Sequence, residues 1–315
     1  GVRISGGLLE KIVSYFVFFV NLVKALRLLF RERPDLLLSF GSYQAVPLVM
    51  AAWLMRIPVL AHEGTTVLSK ANCLIFKLAS AIAYSYDSLF ESELNRYQVP
   101  IEKTGTPLRF QITSLAKHTA PKWMEKFSEE SRILLVLGGN QGSLAINNLI
   151  AQALSELTRR WVVVHQCGRD NKNNHYVKEM TEIASKANVN LNRYYPRAWI
   201  EENELSWLYQ HAEACVARAG ANTIEEIIFH SLPTLFIPLP FAHFQEQYLN
   251  AVTLANQGAA KVLIQSEASP NSLLVNLEQL VADKKGMISR LAVIKSQQIT
   301  CPAQKIYELA LSLYK

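Results

Sequence analysis

Twice along this chain, short apolar segments alternate with stretches of helical spacing, and that rhythm limits the folds open to it. Segments 36–39, 59–62 and 81–84 read as strands, with helical patterns over 45–55 and 71–78 between them. After an interruption the rhythm restarts with strands at 133–137, 161–165, 214–217, 234–237 and 261–264, each leading into a helical stretch. Short connections between alternating elements require parallel strands and crossover helices. The expectation is therefore α/β, two Rossmann-like doubly wound domains, the second more complete than the first. Residues 111–132 (QITSLAKHTAPKWMEKFSEESR) are polar, Lys-rich and aperiodic, so the boundaries fall at 1–112 for the first domain, 113–130 for a linker and 131–298 for the second domain. The last stretch, 299–315, reads as a helix with no strand of its own, returning to the first domain.

Two domains suit 315 residues, of which 50% are hydrophobic and 18% charged, enough to fill two cores. The formal charge of +6 favours an anionic partner: nucleic acid, an anionic membrane surface or a phosphorylated substrate. No helix-turn-helix, RNP or zinc pattern accompanies that charge, so no nucleic-acid partner is expected. The cysteines at 73, 167, 215 and 301 are far apart and form no metal-ligand spacing, which points to free thiols and to no bound metal or cofactor. The chain opens GVRISGG without Met or a signal-like segment and is expected to start internally.

From residue 8 to 33 apolar side chains recur at helical steps, and around 12–20 other faces are apolar too. Such a helix packs in a core or lies on lipid. Asn21 and Lys24 break the run early, so it is short for a membrane span of roughly 20 residues. Lys11, Lys24, Arg27, Arg31 and Arg33 frame it, which suits peripheral docking on an anionic surface. Ile12, Phe16, Phe19 and Leu22, with Trp53 on the next helix, are the expected membrane-facing residues.

Gly138-Gly139-Asn140-Gln141-Gly142-Ser143 follows the strand ILLVL and opens a helix, where glycines admit close backbone approach and free N–H groups attract an anion. It fits neither a dinucleotide G-x-G-x-x-G nor a Walker loop. Arg218 to Thr223 (RAGANT) repeats this placement after a second strand, and Glu226 lies in the helix beyond it, where a carboxylate can accept ribose hydroxyls. The segment from Pro238 to Ala251 adds Gln245, Glu246, Gln247 and Asn250, whose amides and carboxylate can bond sugar hydroxyls.

Together GGNQGSLAIN, HQCG, RAGANTIEE and the stretch from IPLP to QYLNA resemble the ordered signature of the MurG glycosyltransferase family. FGSY, HEGT and GTPLR resemble that family's GGY, HEQN and GNPVR motifs, so the likeness runs through nearly the whole chain. The resemblance implies a GT-B architecture and an inverting transfer of N-acetylglucosamine from UDP-N-acetylglucosamine to an undecaprenyl-pyrophosphoryl muramyl-pentapeptide, at the cytoplasmic face of the cell membrane. It implies that Glu226 holds ribose, that the backbone near Ile200 faces uracil, and that Arg109 with Gly138, Gly139, Asn140, Gln141 and Gly142 meets the pyrophosphate, with Asn147 supporting the loop. Gly220, Ala221 and Thr223 would line the donor site, Glu246, Gln247 and Asn250 the sugar, and Tyr43, His62 and Glu63 the catalytic, acceptor side.

The family also opens with a TGGH loop whose His is its favoured base, and no segment before residue 36 resembles it. The first domain is accordingly expected to be incomplete and this chain, by itself, to have little or no transferase activity. Gly64 and Thr65 replace the family's Gln and Asn, Glu246 a Gln and Asn140 a Ser. Two other functions fit the residues: a related transferase with another lipid acceptor, and a non-catalytic UDP-sugar-binding or membrane-docking protein.

Overall fold

A computed structural model describes residues 8–87, 93–113, 122–124, 131–139, 141–170, 175–187, 189–242 and 245–314, the side chains of 8–12 and 110 excepted. The chain divides into two compact units, residues 1–107 with 299–315, and residues 108–298.

In the first unit the elements are α1 (Leu8–Glu32), β1 (Leu37–Ser39), α2 (Val46–Leu54), β2 (Val59–Glu63), α3 (Lys70–Ile75), β3 (Ala81–Tyr84) and β4 (Ile101–Lys103). The strands form a parallel sheet in the order β1-β2-β3-β4. Strand β4 has no apolar run and escapes a periodicity reading. It is a three-residue strand that, among the described residues, pairs with β3 alone.

Helix α1 packs Leu22, Ala25, Leu26 and Leu29 into the core shared with α2, while Phe16, Phe19 and Phe30 stay exposed, as do Trp53 and Leu54 on α2. Leu22 is therefore no part of the exposed patch: it shares a helix face with Ala25 and Leu29, which are buried. Ile12 lies in the helix, but its side chain is outside the described residues. The helix is also longer than its apolar run suggests, and Val13–Glu32 is long and apolar enough to cross a membrane by length and composition. The C-terminal helix, Pro302–Leu313, buries Ile306 and Leu309 against Leu60, Ala81 and Ala83 of β2 and β3.

In the second unit α4 (Phe110–Thr113) and a short 3₁₀ turn at Lys122–Met124 precede β5 (Ile133–Leu137), α5 (Leu144–Arg160), β6 (Val162–Gln166), α6 (Tyr176–Lys186), β7 (Tyr194–Arg197), α7 (Glu202–His211), β8 (Ala214–Ala217), α8 (Ala221–His230), β9 (Thr234–Phe236), α9 (Glu246–Asn256), β10 (Lys261–Val262), α10 (Pro270–Ala282) and α11 (Lys284–Gln297). Ile112 and Met124, in the polar stretch read as the end of one domain and a linker, are buried in this unit's core, which moves its start back to Leu108.

All six strands are parallel, in the order β10-β9-β8-β5-β6-β7. That order reverses between β5 and β8, so the loops leaving their carboxyl ends flank the topological switch point where doubly wound sheets bind ligands. Strand β7 carries Pro196 and gives no strand signal in the sequence. Its edge position lets a residue without an N–H sit in the ladder.

Candidate functional site

Between Leu137 and Leu144 the chain turns from β5 into α5 through Gly139 at φ +86° and Gly142 at φ +76°, a backbone region that favours glycine. Ser143 caps α5 by accepting the Ile146 N–H at 3.3 Å, which leaves other first-turn N–H groups for an anion. Asn140 lies outside the described residues; Gln141 is exposed.

A buried polar network supports this turn from below. Asn147, one turn into α5, donates Nδ2 to the Cys167 carbonyl at 3.0 Å, so its Oδ1 is an acceptor for His165 Nε2 at 3.1 Å. With its proton on Nε2, His165 accepts from the Tyr194 hydroxyl through Nδ1 at 3.0 Å. Burial pulls the His165 pKa down to about 3, so the imidazole stays neutral and the tautomer holds. Burial likewise pushes the Cys167 thiol up to about 12, which excludes it as a thiolate nucleophile near neutral pH. Gln166 joins two loops, accepting the Ile200 N–H at 3.0 Å and donating toward the Gly139 carbonyl at 3.4 Å. The Ile200 side chain is buried and its N–H is thus already engaged.

Arg218 lies directly after β8, at the head of the RAGANT segment. Its buried guanidinium donates to Ser143 Oγ at 2.6 Å, Gln265 Oε1 at 2.7 Å and the Ile237 carbonyl at 2.8 Å. Among the described residues these partners are all neutral, and burial lowers its pKa to about 10, still a cation at neutral pH. A buried cation with no carboxylate partner among the described residues adds positive potential beside the α5 N-terminus. The only sequence signal for it is an Arg at the carboxyl end of a core strand.

Glu226 sits on α8, beyond the part-exposed first-turn residues Ala221 and Thr223 and the N-cap Gly220. Its side chain is 5% exposed and both oxygens are occupied: Oε1 accepts Arg109 Nη2 at 2.8 Å, and Oε2 accepts the Tyr209 hydroxyl at 2.8 Å. Arg109 also donates Nη1 to Glu202 at 3.0 Å. The structure therefore places Arg109 on the Glu226 carboxylate. These pairs raise the guanidinium pKa against the opposing effect of burial, the largest single influence on it.

In the segment around α9, Gln247 Oε1 accepts the Leu239 N–H at 3.1 Å, and buried Asn250 donates to the Ala219 carbonyl at 3.2 Å. Asn250 thus ties α9 to the turn after β8. Glu246 opens the helix, half-buried.

In the first unit the three acceptor-side residues divide. Tyr43 is 48% exposed. His62 and Glu63, at the carboxyl end of β2, are buried. His62 Nε2 donates to the Gly105 carbonyl at 2.9 Å, and burial lowers its pKa, so it is a neutral ring fixed against the loop after β4. Glu63 accepts the Thr65 N–H at 3.3 Å, the Ser69 N–H at 3.2 Å and Asn72 Nδ2 at 2.8 Å, with the Thr65 hydroxyl at 2.9 Å. A carboxylate so enclosed shapes the 64–69 loop.

The glycosyltransferase family 28 C-terminal domain profile matches residues 133–300, and the N-terminal domain profile of the same family matches residues 3–84. A UDP-N-acetylglucosamine–N-acetylmuramyl-(pentapeptide) pyrophosphoryl-undecaprenol N-acetylglucosamine transferase of Acinetobacter baylyi is 30% identical over 96% of this chain and 78% of its own length. The protein of the same name from Colwellia psychrerythraea is 26% identical over 99% of this chain and 79% of its own. Among solved structures, Acinetobacter baumannii MurG superposes with a TM-score of 0.67 at 24% identity, covering 94% of this chain and 79% of that one. A Neisseria meningitidis UDP-GlcNAc 2-epimerase bound to UDP-GlcNAc gives a TM-score of 0.70 at 15% identity over 98% and 83%. These likenesses to solved structures carry the fold.

Proposed function

This chain belongs to glycosyltransferase family 28, within it to the MurG-type N-acetylglucosaminyltransferases, and on that footing we propose that it transfers N-acetylglucosamine from UDP-N-acetylglucosamine to a lipid-linked muramyl-pentapeptide of peptidoglycan synthesis. The observation that carries the donor half of this reading is the β5–α5 turn at the switch point, with buried Arg218 bonded only to neutral partners among the described residues at its helix start. In that reading the pyrophosphate lies on the turn, Glu226 takes the ribose hydroxyls, and the backbone near Ile200 borders the uracil. The sugar lies toward Gln247 and Glu246, with Asn250 holding their helix in place.

The reaction is an inverting displacement. An acceptor hydroxyl attacks the anomeric carbon and gives up its proton to a general base as the bond to the pyrophosphate oxygen breaks, and UDP leaves with the electron pair. Negative charge grows on the pyrophosphate, so backbone N–H groups and a cation fixed there stabilise the transition state more than the ground state. Arg109, released from Glu226 by the ribose, supplies a second cation within this unit. His62 and Glu63 hold the loops of the acceptor side, and Tyr43 is the exposed contact there.

The test is transfer of radiolabelled N-acetylglucosamine from UDP to a lipid I analogue by the protein as encoded. A labelled disaccharide-lipid product is expected. Transfer to a different lipid acceptor, with none to the lipid I analogue, would reassign the acceptor.

The acceptor's lipid anchor also bears on α1. Phe16, Phe19 and Phe30 are exposed on α1, as is Trp53 on α2; Lys24 and Arg27 are exposed on the same helix and Arg33 sits over the Phe30 ring at 5.8 Å, the pattern of a helix seated in a lipid headgroup layer. The opposite face is committed to α2, which favours peripheral docking on the cytoplasmic leaflet over spanning. Liposomes containing anionic lipid are expected to float the protein at low salt and to release it as salt rises. A Phe16→Ser, Phe19→Ser double variant should stay at the bottom of the gradient, and flotation equal to the parent would remove this face from docking.

A further inference from the structure

Reading two neighbouring hydroxyls demands that a carboxylate hold one plane, yet the last torsion of a Glu side chain is broad and weakly fixed. At Glu226 the plane is set from the interior. Tyr209, on α7, is 2% exposed, and its hydroxyl donates to Oε2 at 2.8 Å. The phenol ring is itself immobilised by stacking on His230 at 5.2 Å between centroids and 21° between planes. His230 in turn donates Nε2 to the Ile112 carbonyl at 3.0 Å, on the short helix that begins beside Arg109. One oxygen of Glu226 is thus fixed by buried groups, whereas the other faces Arg109, whose side chain is 36% exposed and shared with a part-exposed Glu202.

Resting on the reading of Glu226 as the ribose carboxylate, we propose that Tyr209 is a positioning residue for donor recognition. It holds Oε2 and the carboxylate plane, so that ribose hydroxyls exchange with Arg109 at Oε1 only. Tyr209 touches no substrate. Its hydroxyl acts through Glu226, and that makes its effect specific to ligands that carry the ribose hydroxyls.

The experiment is calorimetric titration of the full chain with UDP and with 2′,3′-dideoxy-UDP, for the parent, Tyr209→Phe, Glu226→Gln and the double variant. Tyr209→Phe keeps the ring and its stack and removes one oxygen; thermal melting checks that it is folded. The parent should prefer UDP. Tyr209→Phe should reduce that preference about 3- to 10-fold while leaving dideoxy-UDP affinity unchanged, and should add no further loss in the Glu226→Gln background. In turnover, the same variant should raise the donor KM with little change in kcat. Equal weakening of both ligands, or full additivity with Glu226→Gln, would overturn the proposal while the ribose reading stands. If Glu226→Gln itself leaves the preference intact, the ribose reading falls, and the proposal with it.

Discussion

Replacing Gly142 by alanine is expected to destabilise the second unit by about 2–5 kcal/mol and to abolish measurable UDP binding. Two costs combine. At φ +76° a side chain forces a left-handed backbone, and the new methyl would run into the Cys167 carbonyl and the Gly168 Cα. Those atoms have no room to yield, because the Cys167 carbonyl accepts Asn147 Nδ2 at 3.0 Å and Gly168 is itself at φ +108° against Gly142. Gly139→Ala is the control. It shares the positive φ, at +86°, but a Cβ there meets nothing within 4 Å, so only the conformational cost of roughly 1–2 kcal/mol applies. Urea denaturation of both variants measures the difference. Parental stability in Gly142→Ala would mean that the turn can rearrange, and parental UDP affinity as well would mean that its shape is not needed for binding.

Glu226→Ala is expected to weaken UDP binding by roughly 1.5–3 kcal/mol, about 10- to 150-fold, through loss of a charge-assisted contact to ribose. The structure adds a second consequence. The variant leaves the buried Tyr209 hydroxyl without its acceptor, at a stability cost of about 1–3 kcal/mol, and releases Arg109 to Glu202 alone. Calorimetry and thermal melting read the two effects separately. An unchanged affinity for UDP in a folded Glu226→Ala protein would remove this carboxylate from the site, whatever the melting curve shows.

Much of this molecule was legible in its residues, and for one reason: the signals concerned are local. Apolar runs such as ILLVL and VVVH, bounded by glycine turns and followed by helical spacing, specify a strand and its crossover helix within about 30 residues. The two parallel α/β units follow from that rhythm, and the glycines after β5 follow from the turn they must make. Where the local signal is weak, sequence reading misses the element. Among the described residues Ile101–Lys103 and Tyr194–Arg197 are edge strands with one neighbour each, and neither needs the apolar run that a central strand buries on both faces.

Which groups meet is settled by packing across the chain. Arg109 and Glu226 are 117 positions apart, Arg218 and Ser143 are 75 apart, and no periodicity links either pair. His62 and Glu63 carry a motif suggestive of chemistry, yet packing buries them and spends their hydrogen bonds on holding loops. Leu22 has the same composition and spacing as its exposed neighbours and turns inward only because α2 lies against that face. Secondary structure depends on neighbours along the chain. A site depends on neighbours across it, and the directions of side chains that meet through space are fixed only when the whole core has closed around them.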